Sequence, residues 1–352
     1  MLMILAFHAT RIGCTDTSQS FYVYFSGVLF GSWGLLGVDI FVIISSYFLV
    51  EQKFRSQKLI YIAFQTFTYV FMYLIASFLI QLVQSRDIIF SAKSVLIYIL
   101  NCLREPFWSN NYWFVTSYFF MLLCSPFLNY IISHSDKTQF KKLLLILLFI
   151  PIYSQFNTSV IGDIICFCYI YLLVGYLKKY GKSLINCCAK LKFIVAVFCV
   201  IISGKIAVYF SIPKIVKGII YYTVSATGRH SVIILVLALM ICFAVFKKKA
   251  FYNPFINQVA LCTLGVYLLH EQSLIGFSKS LDCLLYKCMD FGLLDFGWLF
   301  PLQYILIIIA IYIFATVFEY VRLLLIQKPF MKLISTKCSK RIKRFDDWMN
   351  NM

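Results

Sequence analysis

The sequence predicts an all-α bundle of membrane-spanning helices, and three observations carry the prediction. Of its 352 residues, 62% are hydrophobic and 18% aromatic, whereas soluble domains are about 45–50% apolar. Charged residues make up only 13%, about half the usual share, too few to cover a globule of this size. The apolar residues also gather into runs of roughly 17–25, the length that crosses a bilayer as a helix.

The net charge of +18 raises the question of nucleic acid, and the placement of the charges answers it. The connections 51–58, 133–142, 178–192 and 247–249, with the tail from 322, hold 22 of the 32 basic residues. Alternate connections are therefore basic, the positive-inside pattern, which puts these loops and the C-terminus on the cytoplasmic side. No nucleic-acid partner is needed.

Taken in order, MLMILAFHAT is apolar but half the length of a span. It has neither the basic start nor the cleavage site of a signal peptide. The loop parity makes it the outer half of a first helix, lacking roughly ten residues at its start. Further spans are predicted at 30–50, 59–83, 111–132, 141–157, 160–177, 193–212, 230–246, 257–276 and 299–326. With helix one completed, the count is about ten. No repeat and no connection long enough for a second domain intervenes. Residues 1–352 are read as one membrane-embedded domain, with a basic cytoplasmic tail from about 327. The tail, KCSKRIKRFDDWMNN, is expected to lie on anionic lipid.

Thirteen cysteines fall mostly within spans, without CxxC pairs or metal-ligand spacing to the four histidines, so no metal site is expected. A pairing of Cys283 with Cys288 is left open.

Ionisable residues at membrane depth are costly and mark either helix locks or function. They are His8, Asp39, Asp163, Lys205, Arg229, His230, His270, Glu271 and Glu319. Helices one and two run antiparallel, which allows a His8–Asp39 contact. Such a pair can lock two helices, or it can be a general base with its tautomer set by a carboxylate. His270 and Glu271 point about 100° apart, so at most one faces the same cavity. Glu319 and Arg322, three residues apart, read as a stabilising ion pair. The basic loop EQKFRSQK suits phosphates or simply obeys topology. Trp108, Tyr112 and Trp113 can anchor a helix at the headgroups or stack on a sugar ring.

Several segments, in collinear order over nearly the whole chain, resemble the acyltransferase 3 family of polytopic membrane acyltransferases. They are MLMILAFHA, GLLGVDIFVIISSYFLV, FRSQK, NNYWFVTSYFFMLLCSPFLN and LGVYLLHE. The resemblance implies a ten-helix bundle that takes an acyl group, commonly acetyl, from cytoplasmic acyl-CoA and delivers it to a carbohydrate hydroxyl beyond the outer face. The family's helix-one histidine falls on His8 and the aspartate of its second-helix motif on Asp39. Its pair of arginines after helix two falls on Arg55 and Lys58, the second departing to lysine and losing the bidentate fork. An arginine that the family carries about ten residues before the histidine would lie ahead of Met1.

The expectation is a bacterial plasma-membrane O-acyltransferase with acetyl-CoA as co-substrate and a polysaccharide or glycolipid as acceptor. His8 is the base, or a covalent acyl carrier, and Asp39 orients it. Arg55 and Lys58 hold the donor, and Tyr112, Trp113, His270 and Glu271 line the acceptor pocket. The rival reading is a transporter or flippase for a glycolipid or small solute; it lacks matched broken helices in two halves. A lipid-linked glycan polymerase would need one long external loop.

Overall fold

A computed structural model of the chain describes residues 1–9, 20–31, 33–83, 112–156, 159–181, 191–209, 230–249, 251–270 and 297–351, with isolated positions between 96 and 107. Among them there are helices and turns but no strands. Five helical stretches are long and apolar enough to cross a membrane: Phe21–Leu49, Ser56–Ala76, Trp113–His134, Val160–Tyr180 and Gly297–Lys337. Phe193–Ser203, Val232–Phe246 and Pro254–His270 are shorter apolar helices. The chain is an all-α polytopic membrane helix bundle.

The helices are α1 (Leu2–Ala9), α2 (Phe21–Gly31), α3 (Gly34–Leu49), α4 (Ser56–Val83), α5 (Trp113–His134), α6 (Lys137–Leu147), α7 (Phe149–Phe156) and α8 (Val160–Tyr180). They continue with α9 (Leu191–Tyr209), α10 (Val232–Phe246), α11 (Pro254–Leu261), α12 (Thr263–His270), α13 (Phe300–Arg322), α14 (Lys328–Lys337) and α15 (Ser339–Asn350). Most start and stop signals are local. Asp136 caps α6 by accepting from the N–H groups of Thr138 and Gln139 at 2.8 and 2.9 Å. Ser159 caps α8 through Gly162, and Asn253 caps α11 just before Pro254; short polar side chains do this because the first helical N–H groups have no partner. Pro126 inside α5 supplies no N–H to the carbonyl four residues back. The Ser125 hydroxyl donates to that Leu122 carbonyl instead, at 2.7 Å.

Three elements differ from the sequence expectation. Residues 21–29, expected in a connection, are helical, because FYVYFSGVLFG is almost wholly apolar and joins the second span. The span expected at 141–157 starts at Lys137 and divides at Leu148. The tail beyond 326 forms two helices, and α15 docks on the connection before α4 rather than only facing lipid.

The core of the bundle is α3, packed on α1, α8 and α10, with α5 against α8. The spans alternate in direction, so one end of the bundle carries residues 50–56, 133–137 and 178–181. This is the basic end. Two of its lysines are spent on helix termini, which hold partial negative charge. Lys178 Nζ donates to the Tyr47 carbonyl at 3.2 Å and pairs with Glu51 at 3.2 Å. Lys179 Nζ donates to the carbonyls of Ile132 and Ser133, closing α5.

A buried polar lock ties α4 to α13. Arg322 grips Glu319 with Nε and Nη2 at 2.6 and 2.8 Å. Gln65 donates to the same carboxylate at 2.8 Å, as does the Tyr69 hydroxyl. The remaining Arg322 nitrogen donates to Thr68 and Gln327, and a π-helical turn at Leu323–Gln327 brings Gln327 within reach. A bidentate, fully bonded pair of this kind is what makes a buried charge tolerable. The expected ion pair is present and has a structural task.

Candidate active site

His8 and His270 meet at the end of the bundle opposite the basic loops. Their ring centres lie 4.9 Å apart, tilted by 42°, and both residues are buried. The α1 helix reaches this place by leaning on α3. A Cβ at Gly34 would fall 2.4 Å from Phe7 Cβ, and one at Gly37 would sit 3.1 Å from Ile4. The two glycines, three residues apart, let the backbones approach as small residues do between membrane helices. On its other side α1 is held by Tyr304, whose hydroxyl donates to the Ala6 carbonyl.

His270 stands in the last described turn of α12, where helix carbonyls need outside donors. The Tyr112 hydroxyl donates to Leu268 O at 3.1 Å, and the Tyr73 hydroxyl donates to Leu269 O. His270 Nδ1 lies 2.6 Å from Val266 O. A carbonyl only accepts, so Nδ1 carries the proton, and the lone pair of the neutral ring is on Nε2. Tyr267 stands edge-on to His270 at 5.9 Å and to Phe114 at 5.3 Å. The result is an aromatic-walled site holding two imidazoles.

The structure does not bring His8 and Asp39 together. Asp39 follows Gly37 by two residues, about 200° round the helix from the face that meets α1. It also sits about 9 Å further along the bundle than His8, counting from the Phe7–Gly34 contact at 1.5 Å per residue. The carboxylate is buried toward α8 and α10, within electrostatic reach of Cys166 and Cys242. No hydrogen bond or ion pair links it to His8. The expected His8–Asp39 contact is not among the described hydrogen bonds and ion pairs, and the second imidazole beside the His8 ring is that of His270.

A histidine–carboxylate pair does exist, between other partners. His230 Nε2 is 2.9 Å from Asp163 Oδ1, and both side chains are at most 4% exposed. Asp163 lies in the first turn of α8, and His230 precedes α10 with a φ of 134°, a strained backbone for a non-glycine residue. Trp113 and Phe167 stand edge-on to the imidazole at 6.2 and 6.0 Å. Both residues are recognisable in sequence as ionisable groups at membrane depth; their pairing is not, since they come from different helices.

Tyr112 is 1% exposed and its hydroxyl donates to Leu268 O, so it supports α12. Trp113 covers the His230–Asp163 pair. Glu271, with Trp108, Arg229, Cys283, Cys288 and the Lys205 side chain, lies outside the described residues.

Arg55 and Lys58 lie at the basic end, exposed, on a cleft shared with Lys53 and Ser125. Lys53 also borders a cavity of about 550 Å³ formed with Asn129, Tyr130, Ser133 and Lys179. The sixteen residues of α3 separate this end from the histidines by about 24 Å.

No family model, curated protein or solved structure matches the chain.

Proposed function

We propose that the chain is a bacterial plasma-membrane O-acyltransferase, moving an acyl group, in the first instance acetyl, from cytoplasmic acyl-CoA to a hydroxyl of an extracytoplasmic polysaccharide or glycolipid. The observation that carries this reading is the contact of His8 with His270. The two histidine-bearing segments that resemble the acyltransferase 3 family are far apart in sequence, and their buried imidazole rings pack on each other.

In this reading His8 is the general base. It removes the acceptor hydroxyl proton as the oxygen attacks the thioester carbonyl. The tetrahedral intermediate collapses with loss of the CoA thiolate, which takes up the proton, leaving ester and free thiol. His270 is the positioning residue, packed on His8 where Asp39 was expected. Arg55 and Lys58 attract the donor phosphates. The acyl group must then travel on a long, thin thioester arm through the bundle, consistent with the roughly 24 Å between the two ends.

The test is transfer of label from acetyl-CoA to surface glycan in membranes containing the protein or its His8→Ala variant. Label in glycan that disappears with His8→Ala, at unchanged protein level, supports the reading. Equal labelling removes His8 from the chemistry, and movement of glycolipid without label favours the transporter.

A further inference from the structure

One cavity at the basic end is large enough for a ligand, and separate segments of the chain build it. It encloses about 550 Å³ between residues 51–53, the end of α5, Lys179 of α8 and the last turn of α15. Sites for small molecules run from about 300 to 1,000 Å³. The cleft beside Arg55 and Lys58 encloses only about 10 Å³, room for about one water. Lys53 lines both, so cleft and cavity adjoin at this side chain.

The walls are fastened from within. Asn129 donates to the Gln52 carbonyl at 3.2 Å and accepts from the Tyr171 hydroxyl at 2.9 Å, tying the connection to α5 and α8. Asn350 bonds both backbone groups of Phe54, its Oδ1 accepting at 2.8 Å and its Nδ2 donating at 3.1 Å, which holds the α15 wall. Glu51, also on the lining, has a φ of 70°. That backbone is costly for a residue other than glycine, and such strain gathers at ligand sites.

Lys53 and Tyr130 are what the lining offers a ligand. Lys179 is spent on the carbonyls that end α5, and Glu51 is matched by Lys178 at 3.2 Å. Lys53 is exposed and has no hydrogen-bond or ion-pair partner among the described residues. Tyr130 is 51% exposed, and its ring is backed by that of His134 at 4.1 Å. An unmatched ammonium and a half-open aromatic ring on one cavity suit a phosphate joined to a flat base.

We infer that this cavity seats the nucleotide end of the acyl donor, its base against Tyr130 and its phosphates at Lys53, with Arg55 and Lys58 drawing them in from the adjoining cleft. The inference rests on the acyl-CoA reading for the identity of the donor; the cavity and its two available side chains do not depend on it.

The experiment uses the full chain in detergent, with coenzyme A and its nucleotide portion, adenosine 3′,5′-bisphosphate, as probes. Both should bind the wild type, and the bisphosphate should displace coenzyme A whereas pantetheine should not. Tyr130→Leu keeps apolar bulk but removes the ring, and should weaken both probes at least about fivefold, the lower end for base–aromatic stacking. Tyr130→Phe keeps the ring and should bind as the wild type does. Lys53→Gln should weaken both probes about two- to fivefold, as for an exposed ion pair. Its unfolding temperature should not move, because Lys53 bonds to nothing else described. Phosphatidylglycerol offers a phosphate without a base and should not displace the bisphosphate; displacement assigns the cavity to a lipid headgroup and overturns the inference. Wild-type affinity in Lys53→Gln or in Tyr130→Leu, or displacement of coenzyme A by pantetheine alone, overturns the placement and leaves the donor reading standing. Absence of coenzyme A binding to the wild type overturns the donor reading, and the placement with it.

Discussion

The ring of His8 packs on the ring of His270 at 4.9 Å, so the first helix and α12 close on each other through two imidazoles. If this contact positions a base, the two residues act as a unit. Loss of a general base typically costs 10²–10⁴ in rate, and His8→Ala should fall in that range. His270→Ala should lose less, and the double variant should lose little beyond His8→Ala alone. Single-turnover acetyl transfer, with KM and kcat separated, checks this; a purely structural His270 would lower protein yield without moving kcat.

Asp39 offers a sharper comparison. It is buried on the side of α3 that faces α8 and α10, away from His8. Asp39→Asn is nearly isosteric, and acyl transfer should stay within a few-fold of wild type. A loss as deep as that of His8→Ala would require the carboxylate in the chemistry and would contradict the geometry.

The His230–Asp163 pair makes a prediction about stability. Both groups are buried and hydrogen-bonded at 2.9 Å, so removing Asp163 takes the carboxylate partner from the buried His230 imidazole. Breaking a buried pair in this way costs about 3–5 kcal/mol. Asp163→Ala should lower the unfolding temperature in detergent markedly. Pairing it with His230→Leu should recover part of the loss, because the imidazole is then no longer buried without its carboxylate.

How much of this was legible in the sequence depends on whether a feature is local. The caps at Asp136, Ser159 and Asn253 carry a local signal that the sequence reading did not use, since a short polar side chain reaches only its own helix. The Glu319–Arg322 pair was readable for the same reason, three residues apart on one helix face. The extra partners of that pair, Gln65 and Tyr69, come from α4 and carry no sequence signal linking them to it. The partner of His8 was missed because helical spacing tells which face a residue occupies but not which neighbour covers that face. One signal went unused: Gly34 and Gly37 mark the face of α3 that another helix approaches, and Asp39 is off that face. Pairing of His230 with Asp163 left no trace at all, because the two residues enter from separate spans.

The same glycines supply a test of how the site is assembled. A methyl at Gly34 would lie 2.4 Å from Phe7 Cβ and 2.5 Å from its Cγ. Those atoms are at the root of the side chain, so a rotamer change cannot clear them and α1 must shift. His8 is the next residue after Phe7 and would move with it, while His270, bonded to Val266 O on a helix end whose carbonyls accept from Tyr112 and Tyr73, would stay. Gly34→Ala should cost about 1–3 kcal/mol by overpacking. It should reduce acyl transfer by far more than that stability loss implies, because a shift of about 1 Å in a reacting group can cost a hundredfold in rate. The nearest obstacle is Phe7 Cβ itself, so only a residue without a Cβ clears it, and adding Phe7→Gly should return part of the activity. Full activity of Gly34→Ala alone would mean that the position of α1 does not matter to the chemistry.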